Sequence, residues 1–592
     1  MKKGLTLIEL MAVIIILAII SLIVFPIVMR GIEQSRERTR QESVKGYAEA
    51  VRMAVANYEL LNGRPPRTNS QLNITTNNDN VVCNICISDT QGVVLSECTV
   101  GDHDETMYYF LRGTVYTTAP SLPNANDCEV YIAKPGGPNG PVISLDNSDA
   151  NAPNLHANMI PVRWNATTNL WVKADPKNSI IEHQWYDYDA QMWANAVTVT
   201  EATRATYQAD PLGTPINMDD ILTMMVWIPR YEYRIQGTWG LGGVSAAQPG
   251  EIEVDFVIGR RTAATSGYIM HPAFTFGNDE LDGFWVGKFT AGISPNVTST
   301  QGVTTVATAT LATPTENRLI IKPNVLSWRG ISISNAFRVT QDLCVAGNRY
   351  GYHTVDDCRN TVDPHMLKNS QWGAIAYLSQ SRYGKFGNPN FSGINNEVFI
   401  NPSAGFITGR SGNVPSAASQ VDNINAASAN LWGYDGRHCN TKIGFVCTGS
   451  IHATNGIAAS TTGNIYGVYD MSGGSWEYVM GNFNNAVGTS GFLATWFGAN
   501  QKYFDSYTTA NLSTMCSGVP CLGHALSEIT LVTTTVGAGG WYSDSADPRF
   551  TAANSWLLRG GLSADGASAG VFNFVPFTGA VHNNVSFRLV HR

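Results

Sequence analysis

The chain divides by pattern before it divides by content. From Leu10 to Met29 every residue is uncharged and nearly all are apolar. As a helix rising about 1.5 Å per residue, this run is long enough to cross the roughly 30 Å hydrocarbon layer of a bilayer. Beyond Met29 the apolar positions thin to a stripe. Tyr47, Ala50, Val51, Ala54, Tyr58 and Leu61 recur at steps of three and four, with Glu49, Arg52 and Glu59 between them. Asn62-Gly63 and Pro65-Pro66 end that pattern. One helix is therefore expected from about Leu5 to Leu61, membrane-embedded first and half-buried against a globular head later.

The remainder changes period. Residues 63 to about 205 alternate short β-rich runs with turn clusters. "VVCNICISDTQGVVLSECTV" (81–100) reads as strand, a turn at Thr90-Gln91-Gly92, and strand; "AKPGGPNGP" (133–141) reads as a loop or edge. "HQWYDYDAQMWANAV" (183–197) gathers Trp185, Tyr186, Tyr188 and Trp193. These suit either a sugar-stacking platform or a structural cluster joining two domains, and the second is favoured. From about 215 longer apolar strands are expected over 224–235 ("MMVWIPRYEYRI") and 282–292 ("DGFWVGKFTAG"). A helix is expected in 369–384, where Trp372, Ile375, Ala376 and Leu378 are apolar.

Composition narrows the class. At 592 residues the chain exceeds one core, so several domains are expected. Only 14% of residues are charged and 56 are glycine, which suits a β- and loop-rich exported protein more than a helical cytosolic enzyme. A net charge of −8 argues against nucleic acid as a partner. The ten cysteines fall in two groups, Cys83, Cys86, Cys98 and Cys128, then Cys344, Cys358, Cys439, Cys447, Cys516 and Cys521. Disulfides are expected over zinc, because the spacing after Cys83-x-x-Cys86 is wrong for a zinc knuckle.

The first residues carry chemistry that a plain anchor does not need. Glu9 sits at the lip of the apolar run, where an unpaired carboxylate is costly, and no small-residue cleavage site follows near Met29. Gly4-Leu5-Thr6-Leu7-Ile8-Glu9, behind Lys2 and Lys3, closely resembles the prepilin motif of type IV pilins and pseudopilins. That resemblance implies cleavage between Gly4 and Leu5 by a membrane peptidase, and methylation of the new amine. It also gives Glu9 a partner, the terminal amine of a neighbouring subunit, so that the buried pair sets register in a filament. Pro26 falls where many type IV pilins carry a helix-breaking proline, and a kink or melted turn is expected there.

The C-terminal segment, 215–592, resembles the formylglycine-generating enzyme (sulfatase-modifying factor) family, a version of the C-type lectin fold. Gly467, Tyr469, Asp470, Met471, Gly473, Trp476 and Glu477 match its G-x-Y-D-M-x-G-x-x-W-E motif. Arg559-Gly560-Gly561 and the closing Phe587-Arg588 match the later pair, with Ser586 where the family has glycine. Structural roles are expected for Asp470, Trp476, Glu477, Arg559 and Arg588: the aspartate ties a turn and the indole fills the core. The family's oxidases bind copper through two cysteines shortly after R-G-G. Here Asp565 and Gly570 stand about where those would lie, and Cys516 and Cys521 read as a small disulfide loop. No H-E-x-x-H, G-x-S-x-G or P-loop motif supplies another enzyme class.

What remains is a tail of mixed aromatic and amide residues, which suits recognition. The candidate ligand-binding set is Ser563, Asp565, Ser568, Phe572, Asn573, Phe574, Phe577, Thr578, His582 and Asn583. The tail resembles that of diversity-generating retroelement variable proteins. The resulting expectation is an α+β multidomain chain: leader 1–4, pilin helix 5–62, β-rich pilin-like head and spacer 63–205, and a large irregular C-type-lectin-fold binding domain 215–592. No cofactor is expected beyond a structural calcium ion. The expected partners are other pilin subunits, the prepilin peptidase, the membrane before assembly, and a surface protein or glycan. A surface-tethered oxidase and a secretion pseudopilin are the alternatives.

Overall fold

The computed structural model describes residues 7–62, 81–88, 92–100, 103–120, 130–132, 145–146, 148–235, 249–293, 318–352, 358–412, 432–437, 453–508, 521–529, 537–547 and 549–592. The architecture is α+β, with many strands and few helices, in two compact units, Met1–Ile143 and Ser144–Arg592.

In the first unit α1 (Leu7–Asn62) runs as one helix, continuous through Pro26 without a melted turn. Five strands follow: β1 (Val81–Ser88), β2 (Gly92–Val100), β3 (His103–Leu111), β4 (Thr114–Tyr116) and β5 (Val130–Ile132). They pair in the order β4-β3-β2-β1-β5. The helix lays Val44, Ala48, Val51 and Val55 on Ile85, Leu95, Tyr108 and Phe110. These four recur at steps of four, three and four, one face of a helix, and each valine buried contributes about 1.5–3 kcal/mol. The buried stripe is rotated from the expected one: of that set only Val51 is fully inside, and Tyr47 and Ala54 line the margin. Small and β-branched residues fit closest to a sheet, which leaves the tyrosine at the rim. Cys83 and Cys98 close a disulfide between β1 and β2.

The second unit begins earlier than the composition shift near 215 suggests. Its framing elements are β6 (Ile160–Asn165), β7 (Leu170–Lys173), β8 (Asn195–Val199), α2 (Glu201–Ala209), β9 (Ile221–Pro229), β10 (Gly283–Gly287), α3 (Ile333–Gln341), β11 (His365–Met366) and α4 (Asn369–Ser379). They are followed by β12 (Trp476–Phe483), β13 (Asp505–Tyr507), β14 (Gly537–Ala538), β15 (Ser545–Ala546), β16 (Trp556–Gly560), β17 (Gly570–Phe577), β18 (Val585–Phe587) and β19 (Leu589–His591). One antiparallel sheet runs β11-β19-β10-β9-β8-β6-β7. A second, mixed, runs β13-β12-β16-β17-β15-β14, with β18 parallel to β12. Residues 160–199, expected with the small head, are thus paired into the larger unit's sheet.

The apolar strand expected over 224–235 is two, β9 and Tyr231–Ile235, parted at Pro229-Arg230. Proline has no ladder donor, and the Arg230 guanidinium turns inward to Glu280 at 2.7 Å. α4 is buried along its whole length, as a helix apolar on all sides should be. The aromatic cluster of 183–197 is core and not a platform. Trp185, Tyr186, Tyr188 and Trp193 are buried; the indole of Trp193 donates to Tyr383 O (2.8 Å) and the Tyr188 hydroxyl to Trp227 O (3.0 Å).

Three buried histidines join this core as neutral side chains. His365 meets Asp363 O at 2.6 Å, His524 meets the Tyr507 hydroxyl at 2.6 Å, and His591 meets the Tyr352 hydroxyl at 3.0 Å. Burial pushes their pKa values down to about 4, 4 and 3. An unfolded chain takes up these protons near pH 6.5, so their contribution to stability is present above that value and is withdrawn as pH falls. In imidazole NMR titrations the three signals should therefore stay flat from pH 8 to about 5; a midpoint above 6 for any of them would contradict this packing.

Candidate functional site

The residues of the family-like motifs converge where the two sheets meet. Arg588 lies between β18 of one sheet and β19 of the other, fully buried. Its guanidinium forms a two-pronged pair with Glu477 on β12 (Nε to Oε2 2.9 Å, Nη2 to Oε1 2.5 Å). It also donates to Gly287 O (2.8 Å) at the end of β10 and to Tyr469 O (2.9 Å). The Thr290 hydroxyl completes the Glu477 carboxylate at 2.5 Å. Bidentate geometry and full hydrogen bonding are what make a buried charge pair tolerable.

Asp470 performs the neighbouring tie. It holds a left-handed backbone (φ 61°) and accepts from Asn401 Nδ2 and Gly409 N, each at 2.8 Å, and from Thr290 N at 3.3 Å. Burial raises its pKa to about 6 even with Arg588 nearby. Arg559 on β16 is equally buried and spends its donors on Asn369 Oδ1 (2.8 Å), His524 O (2.5 Å) and Ala525 O (3.0 Å). None of these groups faces an open site. Trp476 departs from expectation: the indole is only half-buried at the margin of the core, and its N–H has no acceptor among the described residues.

The tail candidates separate into core and surface. Phe572, Asn573 and Phe574 are at most 1% exposed inside β17 and are unavailable to a ligand. With both faces of the strand covered, side chains of either orientation are buried from Val571 to Phe574. Ser563, Asp565 and Ser568 lie in the β16–β17 connection. There the Asp565 carboxylate, its pKa raised by burial, accepts Leu562 N at 2.8 Å, and Ser568 is exposed. Phe577, the last residue of β17, and Thr578, His582 and Asn583 beyond it are half-buried or exposed. Phe577 packs on His582 (5.3 Å between ring centres) and on Tyr478 (6.2 Å).

Loops distant in sequence complete that second surface. Thr489 N donates to Thr578 O (2.8 Å), Ile333 N to Gly579 O (3.1 Å) and Gly330 N to His582 O (3.0 Å). Leu493 and Val581 stand outward on it. Sequence reasoning missed the loop around Arg329, which has no motif and lies 254 residues from Asn583, the residue whose carbonyl its guanidinium binds.

Gly570, expected from the resemblance to stand about where an oxidase cysteine would lie, has no room for a side chain. A Cβ would fall 2.1 Å from both carboxylate oxygens of Asp544, which accepts Phe572 N at 2.8 Å. Cys344 pairs with Cys358, and Cys86 and Cys521 are also disulfide-bonded, so Cys83, Cys86 and Cys98 form no thiolate zinc site. Cys128, Cys439, Cys447 and Cys516, the 133–141 loop, and Gly4 and Leu5 lie outside the described residues. So do the side chains of Glu9 and Pro26. Among the described residues no group of three or more His, Cys, Asp or Glu could hold a metal ion, and no helix is long and apolar enough to cross a membrane.

Residues 1–25 match the family model described as the prokaryotic N-terminal methylation motif. The N-terminus is thus type IV pilin-like, of the kind found in pilins and pseudopilins. No curated protein matches the chain.

Removing one partner of the Arg588–Glu477 pair strands a buried charge, which costs about 3–5 kcal/mol. Glu477→Leu should therefore lower the denaturant midpoint of the larger unit sharply. Adding Arg588→Met to it should recover much of the loss, and a double variant as unstable as the sum of both singles would refute the coupling.

Proposed function

We propose that this chain is a minor or tip subunit of a type IV pilus-like filament, carrying a non-catalytic head that binds a ligand on another surface. The observation that carries the reading is the methylation motif at residues 1–25. In this reading a peptidase cuts between Gly4 and Leu5, the apolar run up to Met29 holds the subunit in the cytoplasmic membrane, and α1 then enters the filament beside other subunits. Glu9 pairs with a neighbour's terminal amine. A second unit as large as Ser144–Arg592 favours a tip or minor position, because it would crowd a tightly packed shaft.

For the head, the ordered motifs at 467–477, 559–561 and 587–588 support a formylglycine-generating-enzyme-like C-type lectin fold. The non-catalytic reading rests on Asp565 and Gly570 at the copper-ligand positions and on the Asp544 carboxylate that fills the space beside Gly570. The binding face is the surface of Phe577, Thr578, His582 and Asn583 with the loops around Arg329 and Leu493; Ser563, Asp565 and Ser568 form a separate edge. Diversification of the tail by a retroelement fits the mixture of small, amide and aromatic residues. A reverse-transcriptase gene beside an imperfect repeat of the coding sequence for 559–590 would establish it, and their absence would leave plain recognition.

A secretion pseudopilin shares the methylation motif and is the one rival with an observation behind it. Labelling of intact cells with an impermeant reagent should mark the head at the surface; a head reached only after the envelope is opened would favour the rival. Glu9→Ala should leave the head folded, with unchanged protease resistance, while incorporation into filaments falls at least about tenfold, the loss expected when a buried ion pair is broken. Normal incorporation would refute the assembly reading.

A further inference from the structure

The larger unit opens with a short stretch that is fastened at two places. At its far end the Asn151 amide donates to Gly259 O (3.1 Å) and Asp282 O (2.9 Å) and accepts from Gly259 N (2.7 Å). The Trp227 indole also donates to Asn151 O (3.0 Å). Ahead of that clamp, residues 145–150 are held by lighter means. Leu145 N donates to Asn178 O (2.8 Å), and the Asp146 carboxyl accepts Tyr188 N at Oδ1 (2.8 Å). Oδ2 lies 2.8 Å from the Ser148 hydroxyl, which in turn accepts Ala150 N (3.2 Å). Asp146 thus ties the stretch both to itself and to the body of the head.

Its surroundings disfavour a charge. Asp146 is 9% exposed, and the amide it holds belongs to a residue with acids on both sides, Asp187 and Asp189. These sit on a tight turn closed by two backbone bonds between Asp187 and Met192 (2.9 and 2.8 Å). Burial, reinforced by the two acids, pushes the Asp146 pKa up to about 7 against the pull of Tyr188 N and Ser148. The other charged groups on the elements around it are Asp149 on its own stretch, Asp175 and Lys177 on the loop of Asn178, and Arg382, whose carbonyl accepts from Gln191. Asp175 is spent on the amides of Lys177, Ser179 and Ile180. The Arg382 guanidinium lies over the Tyr383 ring, 4.5 Å from its centre, and the acid of this turn that it faces is Asp189.

From this arrangement we infer that Asp146 is a proton-operated clasp, holding a proton while residues 145–150 are seated on the head and giving it up when they lift away as far as Asn151. Once the carboxyl carries a proton, its contact with Ser148 suits either oxygen as donor, and Oδ1 remains for Tyr188 N. Lifted into water, the group reverts to an ordinary aspartate with a pKa of about 3.9. A folded-state pKa raised above that value makes the seat firmest below about pH 4 and weakens it as pH rises through about 7. Acid therefore seats the stretch and a neutral or alkaline medium lifts it, whatever the head binds. The pH of the surroundings thereby sets how much chain ahead of Asn151 is free.

Hydrogen exchange read by mass spectrometry tests this on the full chain in detergent micelles, with labelling times scaled to the intrinsic rate at each pH. The opening equilibrium in peptides carrying Leu145 and Tyr188 should rise about tenfold or more between about pH 5 and pH 7. The Gly259 amide, held by Asn151 beyond the clasp, should not follow. Asp146→Asn keeps an acceptor for Tyr188 N and a donor for Ser148 without the charge, and should make the opening independent of pH. An opening that is equal at both pH values or falls as pH rises, or a pH dependence retained in Asp146→Asn, would overturn the clasp. Should Asp146→Asn fail to fold, the sign and size of the change in the unaltered chain decide, and a Gly259 response equal to that of Leu145 counts against it.

Discussion

Two charged side chains in a dry interior hold the larger unit in one arrangement. Arg588 reaches Glu477 in one sheet and the carbonyl of Gly287, at the end of an inner strand of the other. The chain crosses between the sheets at that point, so the pair is the hinge pin of the two-sheet frame. Apolar packing would hold two sheets together in many registers. A bidentate pair, its carboxylate also bound by the Thr290 hydroxyl, accepts very few. Asp470 and Thr290 extend the same constraint into the loops on either side, and the loops that carry the candidate surface hang from those strands.

Much of this was legible in the sequence, for identifiable reasons. The apolar run, the amphipathic stretch and the cleavage motif are local patterns, and α1 follows from them. Glu477, Arg559 and Arg588 stood out by their match to ordered motifs, and all three side chains lie in the interior. Two things were not legible. Phe572, Asn573 and Phe574 looked like display residues because they alternate aromatic with amide, but a strand covered on both faces buries both kinds. The extent of the larger unit was obscured as well, since the strands of 160–199 lack the long apolar runs of their partners near 225.

The aromatic cluster of 183–197 makes the same point in reverse. Four large rings in one short segment suit a platform as well as a core, and periodicity does not separate the two. What decides is whether each polar tip finds an acceptor indoors. The Trp193 and Tyr188 tips do, at 2.8 and 3.0 Å. Trp476, expected inside, lies half-buried at the margin of the core.

The pairing of β19 has a bearing on how such a chain leaves the cell. Leu589–His591 is an inner strand, flanked by Gly283–Gly287 and His365–Met366. The sheet that Ile160–Asn165 opens is incomplete until these residues arrive, so a partly translocated chain has a slot and unpaired edges where that strand belongs. Contacts spanning this much sequence form slowly, and the waiting state is prone to stick to its neighbours. The sheet of the larger unit thus closes only once Leu589–His591 is available to pair. Chaperone protection during passage and rapid removal of shortened products are the natural corollaries of putting so late a segment in so central a place.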